Sequence, residues 1–300
     1  MGKKRFFDDR LKYLSFIQNT SEKRAISSEL TPFIASMPQN RTFLRILDAG
    51  TGDGTVKSNV IKTFHKYHPY TSLLITGKEI SYEDLKNTLE KMPDRFVEHP
   101  NLLVTMTNVK FAELGHIENA NKIKNKKVKV YNLILKEDNS FDFHTQINNL
   151  NNFIKKNWGI EIDNKSRTSY SNPCLIRIYR EDHKRYLEPF IDNDYENNNY
   201  DLIIASQAYR AASAVKTKVN NVIAPLMRLL NKSGRLLVTH SCGEDTVEKI
   251  LKIAYKDKKP FPNKAKDIID FLKNNPVGEN SRYSFSKPRP YSFKFRRSPD

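Results

Sequence analysis

Cysteine is nearly absent from this chain: two in 300 residues, Cys174 and Cys242. With no paired spacing, they support neither a disulfide framework nor a Cys-based zinc site, and they point to a reduced compartment. Long hydrophobic runs are missing too. None approaches the roughly 20 residues that a membrane helix needs, and the opening Met1-Gly2-Lys3-Lys4-Arg5-Phe6 lacks the apolar core of a signal peptide. A myristoylation motif wants Ser or Thr where Phe6 stands. These absences lead to the expectation of a soluble, cytoplasmic protein without a membrane partner.

Acidic residues are outnumbered, 34 against 51 Lys and Arg, for a formal charge of +17. Such a charge suits a polyanionic partner such as RNA or DNA. It also suits a composition in which Lys and Asn are used heavily throughout, since the lysines are scattered apart from local runs such as Lys122 to Lys129. The 38% hydrophobic content is ample for the core of one large domain, or of one domain with a substantial insertion.

The informative stretch is Arg45-Ile46-Leu47-Asp48-Ala49-Gly50-Thr51-Gly52-Asp53-Gly54-Thr55: an apolar run, an acid, three glycines at alternate positions, then the helical period of Val56, Val60-Ile61 and Phe64. It predicts strand, tight turn and helix. Thr71 to Ile75 followed by Tyr82 to Lys91 repeats the pattern, with Ser81 as the helix cap. Asn101 to Met106 is a third apolar run, Tyr200 to Ser206 a fourth and Arg235 to Thr239 a fifth, the last preceded by the helix Val219 to Leu230 and the turn Lys232-Ser233-Gly234. Successive β-α steps argue for a parallel sheet with its ligand crevice beyond the carboxyl ends of the strands. Two helical patterns precede it over residues 8 to 37. Helices Glu244 to Tyr255 and Asn263 to Asn274 follow it. The alternation at Tyr283, Phe285, Tyr291, Phe293 and Phe295 predicts a terminal antiparallel strand pair turned at Pro288-Arg289-Pro290, or a set of aromatics able to stack on bases.

The roughly 90 residues between the third and fourth strands are too long for a connecting loop. They contain strand patterns at Val128 to Leu135 and Cys174 to Tyr179 and helical ones at Phe143 to Trp158 and Asp182 to Ile191. We expect an inserted α+β subdomain over 116–199, serving as a substrate cap or a homo-oligomer contact, with N-terminal helices over 1–40 and the core over 41–115 and 200–300.

Glycines at 50, 52 and 54 let backbone approach a ligand closely at a helix amino end. The dinucleotide fingerprint G-x-G-x-x-G fails in register, because Thr55 stands at its third glycine. A P-loop would need Gly-Lys-Ser/Thr. Ile46 to Gly54 instead resembles motif I of the class I S-adenosylmethionine-dependent methyltransferases, which have a Rossmann-like fold. That resemblance implies an α/β sheet of seven strands with helices on both faces and S-adenosyl-L-methionine as cofactor. Asp48 would then hold the methionine ammonium. Gly50, Thr51, Gly52 and Gly54 would form the turn beneath the cofactor, and Glu79 would take both ribose hydroxyls. Thr107 or Asn108 would contact the adenine, and Ser206 and Gln207, next to the acceptor pocket, complete the expected cofactor-binding set.

The acceptor pocket should lie at the carboxyl ends of the fourth and fifth strands, near Tyr209, His240, Ser241 and Glu244. There Tyr209 and His240 are the candidates to orient or deprotonate an acceptor. Ala205-Ser206-Gln207-Ala208-Tyr209 lacks the Pro-Pro-aromatic pattern of enzymes that methylate exocyclic base nitrogens. Cys242 resembles in position the nucleophilic Cys of RNA 5-methylcytosine enzymes, but no Cys stands in the fourth-strand motif. The expected acceptor is a small molecule, with RNA or protein as the alternative, or a non-catalytic cofactor-binding role. His65 and His68 lie three apart on a helix, but no third ligand lies nearby in sequence.

Overall fold

In the computed structural model the described residues are 20–117, 121–162, 168–191, 199–241, 261–277 and 283–291. The chain is an α/β protein of Rossmann-like architecture, built on one seven-stranded, mostly parallel sheet. Helix α1 (Glu22–Ala35) leads into β1 (Phe43–Ala49), α2 (Thr55–Tyr67), β2 (Ser72–Lys78), α3 (Tyr82–Leu89), α4 (Pro93–Glu98) and β3 (Leu102–Thr107). A 3-10 turn at Phe111–His116 precedes a short hairpin, β4 (Lys122–Ile123) and β5 (Lys126–Lys127). Next come β6 (Lys129–Leu135), α5 (Ser140–Asn148), α6 (Asn151–Asn157), a second hairpin of β7 (Ile160–Ile162) and β8 (Thr168–Tyr170), β9 (Cys174–Arg180) and α7 (Lys184–Ile191). The chain then runs through β10 (Tyr200–Ser206), α8 (Val215–Lys218), a π turn (Val219–Ile223), α9 (Ala224–Met227), β11 (Leu230–Thr239) and α10 (Ala265–Asn274). The first helical pattern, Leu11 to Ile17, and the expected helix Glu244 to Tyr255 lie outside the described residues.

Strand order is β11-β10-β1-β2-β3-β9-β6. Alternation along the strands sorts side chains between two faces, as the two-residue period requires. Leu44, Ile46, Leu73, Ile75, Val104 and Ile204 pack with Ile26 of α1, Phe64 of α2 and Phe143 of α5. Leu47, Ala49, Ile203 and Ala205 point the other way, onto Leu114, Val222 and Leu226. Leu74, Leu103 and Tyr179 meet Leu187 of α7. Helices therefore cover both faces.

Two strands of the seven come from the expected insertion, 116–199. β9 pairs antiparallel with β3, and β6 parallel with β9, so these two strands extend the main sheet. The reason is visible in β9, Cys-Leu-Ile-Arg-Ile-Tyr-Arg, in which all seven residues are buried, both arginines included. A strand covered on both faces belongs inside a sheet. The β3 end holds it there: Thr107 Oγ1 donates to the Cys174 carbonyl at 2.8 Å, and Asn108 accepts from Cys174 N at 2.9 Å while donating to the Asn172 carbonyl at 2.9 Å.

The C-terminal tail contributes no strand over residues 283–291. Tyr283 instead donates to the Met227 carbonyl at 3.0 Å and packs with Phe285 against α9 and α10. Phe293 and Phe295 lie outside the described residues. Among the described residues the antiparallel hairpins are β4-β5 and β7-β8, besides the antiparallel β3-β9 pairing within the main sheet. Lys232-Ser233-Gly234 forms a bulge at the start of β11, with Ser233 at φ 70°. A Cβ on Gly234 would stand 2.6 Å from the Tyr200 carbonyl oxygen, which explains the glycine.

Because Asn108 satisfies both a donor and an acceptor of the buried β9 start, Asn108→Ala should cost about 1–3 kcal/mol. Urea denaturation followed by circular dichroism measures it, and a midpoint unchanged from wild type would contradict the assignment.

Candidate functional site

The carboxyl ends of β1, β2 and β10 meet at the glycine turn. Gly50, Gly52 and Gly54 all take positive φ, at 105°, 58° and 78°. The turn is pinned to the β2 end, because Gly50 N and Thr51 N both donate to the Lys78 carbonyl, at 3.2 and 3.0 Å. Gly54 opens α2 in the left-handed region, and a Cβ there would lie 2.6 Å from Thr88 Cα, so α3 packs directly on the turn. Thr88 Oγ1 donates to the Gly52 carbonyl at 3.0 Å. Lys91 Nζ donates to the Asp53 carbonyl at 2.7 Å.

Glu79 directly follows β2, as expected, and its carboxylate is buried. Its Oε2 accepts from Gly52 N at 2.8 Å, and its Oε1 accepts from Ile80 N at 2.7 Å and Ser81 N at 2.8 Å. Burial raises its pKa, opposed by Lys78. Three of about four acceptor sites on a carboxylate are thus in use. That leaves room for one further hydroxyl, not the two that the motif resemblance implies.

Asp48 is 1% exposed, and its Oδ2 has no hydrogen-bond partner among the described residues. Burial raises its pKa, opposed first by Lys57 and then by Lys23. Lys57 is itself fully buried, which depresses its pKa despite Asp48. Its Nζ sits 3.2 Å from Met106 Sδ. Gly77 in β2 makes the room, since a Cβ there would be 2.5 Å from that amine. Lys57 was not anticipated, yet the signal was present: with Val60, Ile61 and Phe64 it occupies the i, i+3, i+4, i+7 stripe that faces the core.

Ser206 ends β10 beside the turn, and its Oγ is likewise buried without a partner among the described residues. Gln207, at φ 53°, donates its backbone N–H to Thr239 Oγ1 at 3.1 Å. Its side chain donates to Glu22, tying the β10 end to α1. Thr107 and Asn108, expected against an adenine ring, have their side chains committed to β9 as described above. The structure therefore brings Asp48, the glycines, Glu79 and Ser206 together around the turn and gives Thr107, Asn108 and Gln207 scaffold bonds.

At the ends of β10 and β11, Tyr209 Oη lies 3.3 Å from His240 Nδ1, and His240 Nε2 lies 2.8 Å from the Asn263 carbonyl. A carbonyl only accepts, so Nε2 carries the proton of the neutral ring and Nδ1 is left to accept from the Tyr209 hydroxyl. Burial lowers the His240 pKa, with the nearby Lys218 adding to the shift. Lys218 is a second unanticipated cation: 1% exposed, it donates to the Ala211 carbonyl at 2.6 Å and lies 5.5 Å from the Tyr209 ring centroid. Ser241 is described but in no regular element, whereas Cys242 and Glu244 lie outside the described residues.

His65 and His68 do not share a ligand. His68 Nε2 bonds the Ile34 carbonyl at 2.8 Å, and His65 faces His99 at 3.2 Å. Among the described residues no group of three His, Cys, Asp or Glu could hold a metal. None of the described helices is long and apolar enough to cross a membrane. A cleft of about 410 Å³ lies among Met227, Leu272, Val277, Tyr283 and Phe285, away from all of these polar groups.

No protein-family model matches the chain, and no curated protein matches it. Among solved structures it is similar to the small RNA methyltransferase HEN1, at 17% identity over 42% of this chain and 15% of that one, with a TM-score of 0.24. It is also similar to MNMC2 from Aquifex aeolicus, at 11% identity over 87% of this chain and 64% of that one, with a TM-score of 0.27. The chain spans less than two thirds of either.

A lysine held below its ordinary pKa binds fewer protons folded than unfolded, so it makes stability rise with pH across the alkaline window that ends near about 10.4. Lys57→Met should flatten that rise. Urea midpoints measured from pH 7 to 10 test this, and an equally steep rise in the variant would refute it.

Proposed function

We propose that the chain is an S-adenosylmethionine-dependent methyltransferase whose cofactor lies across the glycine turn. The observation that carries this reading is the pair of buried oxygens at neighbouring strand ends without a hydrogen-bond partner among the described residues, Asp48 Oδ2 and Ser206 Oγ. An unmet buried acceptor costs about 1–3 kcal/mol and more when charged, so a site that keeps one favours a ligand that satisfies it. A carboxylate here suits the cofactor's ammonium, and the hydroxyl suits a polar neighbour on the same ligand. Glu79 takes one ribose hydroxyl at its remaining acceptor site. Thr107 and Asn108 act by setting the β3 end rather than by touching the adenine.

When bound, the cofactor supplies an electrophilic methyl on a sulfonium, displaced in line by a lone pair of the acceptor. The chain's part is to position the acceptor and remove a proton. Tyr209 stands at the acceptor side, with its hydroxyl proton directed to His240 Nδ1. As the acceptor loses its proton to the Tyr209 oxygen, Tyr209 passes its own to Nδ1, and the resulting imidazolium keeps its Nε2–H on the Asn263 carbonyl. Neutral His240 is the competent form. Its lowered pKa keeps it neutral at physiological pH, and the rate should fall as acid protonates it.

Calorimetry should show S-adenosylmethionine or its demethylated product binding wild type, and Asp48→Asn should weaken binding about ten- to a hundredfold, the equivalent of one charge-assisted hydrogen bond. Absence of binding to wild type would overturn the reading. For the relay, Tyr209→Phe should lower kcat by about a hundredfold with the cofactor affinity unchanged. Transfer of labelled methyl to extract fractions provides the assay, and a full rate in the variant would remove Tyr209 from the mechanism.

A further inference from the structure

We propose that the paired hairpins beside the sheet's ligand edge form a binding rim for single-stranded nucleic acid, which makes a nucleic acid the methyl acceptor. The acceptor part of this inference rests on the methyltransferase reading above. Residues 121–129, Asn-Lys-Ile-Lys-Asn-Lys-Lys-Val-Lys, hold five lysines and no acid. Lys124 and Asn125 take positive φ, 50° and 63°, the conformation of a tight two-residue hairpin turn. Ile123 and Val128 are buried in the core and anchor the hairpin.

The lysines divide into two groups. Lys124 pairs with Glu113 at 3.1 Å, and Lys126 pairs with Glu161 at 3.1 Å while donating to the Ser171 carbonyl at 2.8 Å, which locks the β4-β5 hairpin to the β7-β8 hairpin. Glu113 also accepts from Tyr170 of β8 at 3.0 Å. Lys122, Lys127 and Lys129 are exposed and have no ion pair among the described residues. On the adjoining strand Ile160 and Ile162 are 56% and 69% exposed. The rim is thus a rigid support carrying three uncompensated cations next to bare apolar surface.

Topology puts this rim on the ligand side. β3 ends at Thr107, which pairs with Leu175 near the start of β9, and Cys174 pairs with Lys129 at the start of β6. The antiparallel turn of β9 and β6 therefore brings both hairpins to the edge where β1, β2, β3 and β10 present their carboxyl ends. Five strand steps separate β10 from β6. At about 4.8 Å each, the rim stands about 24 Å from the Tyr209 end. A small acceptor has no use for charge at that distance, whereas a phosphate chain can lie across both.

Fluorescence anisotropy with end-labelled 20-nucleotide oligouridine and oligodeoxythymidine tests the rim and tells RNA from DNA. Wild type should bind at low salt, and the triple variant K122E/K127E/K129E should lose at least tenfold in affinity, with its log–log salt slope reduced by about 2, from three lost phosphate contacts at about 0.7 each. The control K66E/K136E/K232E changes the net charge equally at exposed positions on other parts of the surface, and should lose little. An equal loss in the control would reduce the effect to bulk charge and overturn the rim, as would absence of salt-sensitive binding by wild type. Calorimetry of wild type with the cofactor separates the two readings: cofactor binding with no nucleic acid binding sinks the rim alone, and nucleic acid binding with no cofactor binding sinks the methyltransferase reading and the acceptor claim with it. Labelled methyl found on a small molecule or protein, and not on RNA or DNA, would also overturn that claim.

Discussion

The buried carboxylate of Glu79 is the constraint on which the site depends. It collects the Gly52, Ile80 and Ser81 N–H groups and so closes the glycine turn onto the β2 end. A turn with three positive-φ residues would otherwise be a floppy connection. Here the carboxylate, the Lys78 carbonyl and Thr88 hold it from three sides, and the amino end of α2 is aimed by that grip. The cost is a desolvated negative charge, offset by backbone dipoles and by Lys78 nearby.

Below the turn, Asp48 and Lys57 form a second buried charged pair that follows a different logic. Each is pushed toward its neutral form by burial and held back by the other. Asp48 keeps an oxygen without a hydrogen-bond partner among the described residues, so there the pair balances charge without completing the polar network. A fully satisfied network would be a scaffold; one left incomplete beside a glycine turn has room for a ligand's cation. Lys218 beneath Tyr209 repeats the device at the other end of the site. There burial lowers the His240 pKa and the nearby Lys218 adds to the shift, while burial lowers that of Lys218 itself.

Much of this was legible in the residues. The β1 turn, the β2 end with Ser81 as helix cap, and β10 over Tyr200–Ser206 follow from apolar runs broken by glycine and acid, and Asp48 and Glu79 follow from their positions at strand ends. Partner choice was not. Cys174 to Tyr179 reads as a strand, but nothing local says that its neighbour is β3, because its arginines look like the mark of a solvent face and are in fact buried. The same gap bears on Thr107 and Asn108: polar residues after a strand suit a ligand edge, and only the position of β9 shows that their side chains hydrogen-bond the start of that strand. The tail alternation at Tyr283 and Phe285 satisfied a strand period while packing on helices, since a two-residue spacing also fits an extended segment with one apolar side.

What the sequence determined alone is the local chemistry: a strand, a glycine turn and a helix, with an acid before the turn and another at the next strand end, because backbone conformation and hydrophobic period act over a few residues. The tertiary structure decided which groups remain free. It gave Glu79 three backbone donors, left Asp48 and Ser206 each with an oxygen unmatched among the described residues, sent Thr107 and Asn108 to β9, and carried the lysine hairpin round to the ligand edge. Those outcomes depend on contacts between residues as many as 67 positions apart, and hydrogen-bond capacity can be counted only when both partners are in place.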